Sequence, residues 1–319
     1  MPGSSRDRLK LTVIGSTDTA LRGIALPQVR DQILAAAHGK AVDVLRSFGK
    51  TASFQVHGHT ARSLVLRVKD DEDSDLCLKV LLSSVDPMFQ AQPDQWDRTE
   101  LEAFHLIDPQ ANWAPRLISA CPNGGWLLRE WVGTDTSNKI GRQNWNKQRL
   151  DNFWHLFADS FACFHGHATP HLMRDIKPTN VSFEGQAFYL FDFNTVKPLE
   201  KIRGGQQKSR LGNRSNRYAP PEILGGNFDD IGLGADYFGF ATVFHRYAVG
   251  LSKSVWTNAV TEPAHAIEVY RSEYLALKPA FEARLQELGY SSQEVAFLLA
   301  AINPDPKSRP DHFIRPRTG

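Results

Sequence analysis

Asp175, Lys177, Asn180 and Asp192 stand at the two ends of a pair of short apolar runs separated by a turn signal. Met173-Arg174-Asp175-Ile176-Lys177-Pro178-Thr179-Asn180 leads into Val181, Ser182 and Phe183. Glu184-Gly185-Gln186 supplies the turn, and the run ending at Phe191 leads out to Asp192-Phe193-Asn194. Two apolar runs around such a turn predict a β-hairpin. A hairpin returns its ends to one another, so Asn180 and Asp192, 12 positions apart, are expected side by side. An amide oxygen and a carboxylate converging there are hard oxygen ligands suited to Mg²⁺ carrying phosphates. Asp175 would face the same point and accept a proton from an attacking hydroxyl. Lys177 would offset charge on a transferring phosphoryl group. The bland alternative is four solvated turn residues, the usual fate of short polar side chains.

The elements that must position these residues follow from periodicity. A strand over 11–14 and a helix over 29–48 come first. Strands over 53–56 and 63–68 follow, separated by a turn around Gly58. The acidic residues Asp70, Asp71, Glu72, Asp73 and Asp75 predict a solvated hairpin turn; they lack calcium-loop spacing and a central glycine. Leu76, Leu78, Val80 and Leu82 then alternate along a strand, which puts Cys77 and Lys79 together on its other face. A helix over 94–107 and a strand over 125–131 precede a mainly helical remainder, interrupted at about 173–222 by the chemical segment. There are no repeats.

Bulk properties limit the classes of function. The 319 residues suffice for one large domain or two lobes sharing a cleft. Lys+Arg number 37 against Asp+Glu 35, a net charge of +2, which gives no reason to expect nucleic acid as a partner. No apolar run approaches the roughly 20 residues of a membrane helix, and residues 1–10 lack a signal-peptide core. The three cysteines are odd in number and far apart, so an intracellular setting is expected. A secreted effector delivered into a host cytoplasm would look the same.

The motifs resemble those of protein kinases, in the family's order, from about residue 50 to 315. Arg174-Asp175 to Asn180 looks like the catalytic loop and Asp192-Phe193-Asn194 like its metal-binding motif. Leu76-Cys77-Leu78-Lys79 looks like the Val-Ala-Ile-Lys strand, and Ala219-Pro220-Pro221-Glu222 resembles the motif closing the activation segment. Asp305-Pro306-Lys307-Ser308-Arg309-Pro310 resembles the motif near the end of the domain. The resemblance implies an α+β, bilobal protein-kinase fold: an extension over 1–50, a small β-rich lobe with one main helix over 51–132, and a larger helical lobe over 133–319. It implies ATP and Mg²⁺ as cofactors and a protein substrate, with neither nucleic acid nor membrane as partner. Asp175 and Lys177 would be catalytic, and Asn180 and Asp192 would hold the metal. Lys79 would bind the α/β-phosphates, paired with Glu100 (Glu102 as the fallback). Cys77 and Glu130 would neighbour the adenine, and Gly58 would belong to the phosphate loop. Glu222 and Arg309 would form a buried ion pair, Asp236 would brace the catalytic loop, and His167 falls where the family commonly carries a histidine. Lys177 is what the serine/threonine branch usually has at its position, and Ser215 occupies the place of that branch's threonine that contacts the catalytic aspartate.

Four departures accompany the resemblance. Gly58 is the single glycine of the phosphate loop, Met173 replaces a histidine, and Asn194 replaces the glycine after Asp192-Phe193, where Asn tolerates positive φ. Arg129 falls at the back of the adenine site. Together they open the alternative of a pseudokinase acting as a binding or scaffold module, or of a kinase-fold transferase with another acceptor. His165, His167 and His171 lie close together, but no carboxylate or thiol is spaced to complete a metal site, so they read as structural. The basic run Lys197, Lys201, Arg203, Lys208, Arg210, Arg214, Arg217 reads as a solvated loop; an acidic substrate and a dock for phosphate on Ser209 or Ser215 are the sharper readings.

Overall fold

The computed structural model describes residues 12–13, 27–47, 53–59, 63–69, 75–81, 95–122, 125–135, 145–203, 218–251, 256 and 266–317. Arg62, the acidic residues from Asp70 to Asp73, Leu82, Lys208, Ser209, Arg210, Arg214, Ser215 and Arg217 lie outside the described residues. Among the described residues the chain is α+β, with eight α-helices and a mainly antiparallel six-stranded sheet. It divides into two compact units, Met1–Phe104 with Pro115–Trp131, and His105–Ala114 with Val132–Gly319.

The first unit contains β1 (Thr12–Val13), α1 (Pro27–Ser47), β2 (Ser53–His59), β3 (Ser63–Lys69), β4 (Asp75–Leu81), α2 (Gln95–Leu106, which runs on into the second unit), β5 (Leu117–Ala120) and β6 (Trp126–Glu130). The sheet order is β1-β2-β3-β4-β6-β5, with β1 parallel to β2 and the other pairs antiparallel. Leu64, Leu66 and Val68 stand opposite Val80, Leu78 and Leu76, and Leu78 opposite Leu128, so one face is a continuous aliphatic layer. The alternation expected of β4 holds for side-chain direction but not for exposure, because every residue from Leu76 to Leu81 is buried. Two helices explain this: Glu100 of α2 meets Lys79, and α1 also packs against β4, burying Ala41, Val44 and Leu45. Two sequence expectations change. Gly58 lies within β2 rather than in a turn, at a register shift between Val56 and Gly58 that leaves His57 as a bulge. Asp75 is the first residue of β4 and not a solvated turn acid; it accepts Arg67 Nε at 3.0 Å and Nη2 at 2.6 Å. That hydrogen-bonded guanidinium holds the Asp75 carboxyl below its ordinary range.

The second unit contains β7 (Thr134–Asp135), α3 (Lys147–Phe164), β8 (His171–Leu172), β9 (Val181–Glu184), β10 (Ala187–Leu190), β11 (Lys197–Pro198), α4 (Leu199–Arg203), α5 (Pro221–Gly225), α6 (Gly234–Val249), α7 (Ala266–Glu287) and α8 (Ser292–Ala301). Helix α3 begins at Asn146, whose side chain accepts the Arg149 N–H. Its residues Leu150, Phe153, Trp154, Phe157, Phe161 and Phe164 repeat at helical spacing and are buried. They meet α6, where every residue from Ala235 to Ala248 is buried, so α6 is the central helix of the unit. Phe157 lies 5.2 Å from Phe240, and Trp154 lies 5.5 Å from Phe244 and 5.7 Å from Phe297 of α8.

Glu222 and Arg309 form the buried bidentate pair, with contacts of 2.5 and 2.9 Å. Arg309 also donates to the carbonyls of Asn303, Pro304 and Gly234 and lies 4.7 Å from the Phe238 ring centroid. Gly234 eases this packing, since a Cβ there would approach Arg309 Cβ to 3.1 Å. Glu222→Leu leaves the guanidinium buried without its counter-charge and is expected to cost about 3–5 kcal/mol in chemical denaturation; the double variant with Arg309→Met is expected to cost less than the single. A second expectation concerns pH. His245 on α6 is 3% exposed, packs edge-on against Phe281 at 4.5 Å, and has no hydrogen-bond partner at Nδ1. Burial pushes its pKa down from 6.5 to about 4. The unfolded chain therefore binds this proton first. Stability is undiminished above about pH 6.5 and falls towards pH 4, by on the order of 3 kcal/mol. His245→Phe is expected to flatten that part of a thermal-stability profile.

Candidate functional site

The hairpin predicted around Gly185 forms. Strands β9 and β10 pair from Ala187–Glu184 to Leu190–Val181, with Gly185 at φ 60 in the turn. Beyond the open end, Phe191 donates its N–H to the Asn180 carbonyl at 3.1 Å. Asn180, ending the 3₁₀ turn Pro178–Asn180, thus lies beside the residue preceding Asp192. Met173, Asp175, Lys177, Asn180 and Asp192 line one small depression.

The loop before the hairpin is held by Asp236 in the first turn of α6. Its Oδ2 accepts the Met173 N–H at 2.7 Å and its Oδ1 the Arg174 N–H at 2.8 Å. His165 Nε2 contacts Oδ2 at 2.9 Å. Arg174 is held at φ 65, a left-handed conformation costly for a residue with a side chain. Its Nε donates to the Thr195 carbonyl at 2.8 Å, and Thr195 Oγ1 donates to the Met173 carbonyl at 2.6 Å. Gly239 lets α6 come this close, because a Cβ there would lie 3.0 Å from Ile176 Cβ.

Asp175 faces Lys177 and Asn180. Its Oδ2 accepts Lys177 Nζ at 2.5 Å and Asn180 Nδ2 at 3.3 Å, while Asn180 Nδ2 also donates to the Asp175 carbonyl at 2.9 Å. Committing its nitrogen there leaves the Asn180 oxygen as the acceptor. Asp192 is the other residue at φ 65, and its Oδ1 accepts Asn194 Nδ2 at 3.0 Å. Phe193 anchors this segment: it is 1% exposed, 6.1 Å from Trp113 and 5.8 Å from Phe164. An amide oxygen beside a carboxylate suits Mg²⁺, which keeps waters and phosphate oxygens as its other ligands. Among the described residues no three His, Cys, Asp or Glu side chains gather as a complete protein metal site.

In the first unit Lys79 Nζ contacts Glu100 Oε2 at 2.6 Å, with side chains 8% and 4% exposed. Glu102, the fallback, is exposed. Cys77 is fully buried opposite Arg129 of β6. Arg129 turns back to donate to the Glu130 carbonyl at 3.0 Å. The Glu130 carboxylate is engaged by Arg116, through Nε at 2.9 Å and the backbone N–H at 3.1 Å.

Several sequence expectations are corrected. The positive φ falls on Asp192, not on Asn194. His165, which sequence reading did not single out as a partner of Asp236, ends α3 and meets it, while His167 lies in the connecting loop, its Nδ1 accepting the Thr169 N–H at 3.2 Å. Lys197 does not belong to a solvated loop: it is 4% exposed in β11, opposite Leu172 of β8. Lys201 and Arg203 lie in α4, whose Ile202 packs with Leu172, Ile223, Ile231 and Ala235. Sequence reasoning missed Thr195, Trp113 and Phe164; nothing in their spacing marks long-range partners.

The chain matches no model of a known protein family, and no curated protein matches it significantly.

Asp236→Asn leaves one acceptor oxygen for two N–H groups. It is expected to cost about 1–3 kcal/mol and to speed hydrogen–deuterium exchange in a peptide spanning residues 171–177.

Proposed function

We propose that the chain is a protein kinase-like, bilobal phosphotransferase that moves the γ-phosphoryl group of ATP to a serine or threonine hydroxyl of a protein, with Mg²⁺. The observation that carries this reading is the convergence of Asp175, Lys177, Asn180 and Asp192 on one depression, with left-handed backbone at Arg174 and Asp192. Strain of this kind persists where surrounding contacts over-determine it, and it clusters at functional sites.

Each residue then has a role its contacts suit. Asn180 and Asp192 would hold Mg²⁺, which when bound neutralises charge on the phosphate oxygens. The Asp175 carboxylate accepts the hydroxyl proton as the oxygen–phosphorus bond forms and the bond to the β–γ bridging oxygen breaks, releasing ADP. Lys177, at 2.5 Å from Asp175, keeps that carboxylate oriented and offsets charge on the moving group. Lys79, oriented by Glu100, takes the α/β-phosphates, with Cys77 and Glu130 beside the adenine. Catalysis in this class is mainly positioning and charge stabilisation.

A second reading, a nucleotide-binding or scaffold module without turnover, is favoured by β2. Its single glycine, Gly58, sits in the strand at a bulge rather than in a glycine-rich cradle. Incubation of the purified chain with Mg²⁺, a generic acceptor protein and ATP labelled at the γ or α position separates the readings. Label from γ-ATP alone on Ser or Thr, reduced about 10²–10⁴-fold by Asp175→Ala and abolished by Asp192→Ala, is the expected result. Transfer from α-ATP would indicate nucleotide transfer. Binding without any transfer would indicate the module.

A further inference from the structure

Resting on that reading, the structure assigns Asn194 a role beyond occupying a glycine-like bend: we infer that its side-chain amide fixes the Asp192 carboxylate for the metal. Three observations carry this. Asn194 Nδ2 donates to Asp192 Oδ1 at 3.0 Å. An ionised carboxylate only accepts hydrogen bonds, so the NH₂ rather than the oxygen of Asn194 must face it. Asn194 is not a residue at positive φ, so it is not present to supply left-handed backbone; Asp192 is that residue.

The backbone on either side of Asp192 is already immobilised. Phe191 N–H is bonded to Asn180 O at 3.1 Å, Phe193 is buried against Trp113 and Phe164, and Val196 N–H bonds the Phe193 carbonyl at 3.1 Å. What remains to be set is the rotation of the Asp192 side chain. A glycine at 194 would take away the Asn194 amide donor at Asp192 Oδ1. The amide restrains this rotation on the apo side, so less order has to be imposed when the ion binds. Groups one shell out from a metal commonly act in this way, and losing one typically weakens metal binding by about 10–100-fold. Asn180 has the matching arrangement: its Nδ2 is tied to Asp175, which leaves its oxygen as acceptor. Amide hydrogen bonds thus help orient both side chains that would face the metal. Asn194 is a positioning residue; it acts through Asp192.

The test is the affinity for Mn²⁺ of the full chain saturated with a non-hydrolysable ATP analogue, read by electron paramagnetic resonance rather than by activity. Asn194→Gly and the isosteric Asn194→Asp are compared with wild type and Asp192→Ala, with thermal unfolding as the control for folding. The expected result is binding to wild type, none to Asp192→Ala, and about tenfold or greater weakening in both Asn194 variants. Both lose the donor, and Asn194→Asp adds repulsion. Wild-type affinity in Asn194→Gly would overturn the inference while leaving the site reading intact. Tighter binding in Asn194→Asp would overturn it too, by making position 194 a ligand. No Mn²⁺ binding to wild type would remove the reading on which the inference rests.

Discussion

The geometry of the site depends on one buried carboxylate. Asp236 accepts the N–H groups of Met173 and Arg174 and the ring nitrogen of His165, so a single side chain on the central helix fixes the end of α3 and the start of the loop carrying Asp175. Without those acceptors, two buried or half-buried backbone donors would lose their partners, and the left-handed conformation of Arg174 would lose one of the contacts that hold it. The helix approaches closely because Gly239 has no Cβ to strike Ile176. The side chains on this helix are chosen around that approach: aromatic where it meets α3, and small where it meets the loop.

From this brace the remaining positions follow by short links. Thr195 ties the segment after Asp192 back to the Met173 carbonyl, and Arg174 ties its own side chain to the Thr195 carbonyl. The loop before the hairpin and the strand after it are therefore locked to each other as well as to α6. Phe193 supplies the apolar half of the anchor, in a cage of Trp113 and Phe164. Polar groups set direction while aromatic burial sets depth, a division expected where side chains must be placed to fractions of an ångström.

The first unit handles charge differently. Lys79 and Glu100 are both nearly inaccessible, so each depends on the other to offset desolvation. Arg67 and Asp75 form a second pair near the beginning of β4, more exposed and less consequential. In the second unit Glu222 and Arg309 are almost completely buried, and the guanidinium is saturated by carbonyls from the chain around residue 304. Removing half of such a pair is costly even where the pair itself adds little net stability.

Local pattern alone determined a good deal. The turn signal at Gly185 between apolar runs sufficed to place Asn180 close to Asp192, because a two-residue turn fixes its own register. Alternation marked the direction of Lys79 on β4. Motif order drew attention to Glu222, Arg309 and Asp236. What only the tertiary structure decided involves partners distant in sequence. That both faces of β4 are covered depends on α1 and α2; that His165 meets Asp236 depends on where α3 ends against α6; that Lys197 is buried depends on its pairing with β8. The left-handed bend at Asp192 is of the same kind. Aspartate does not require that conformation, and the hydrogen bonds and aromatic packing on both sides of it impose it. Periodicity records the local cost of exposing a side chain, whereas these features record the balance of contacts made after distant segments meet.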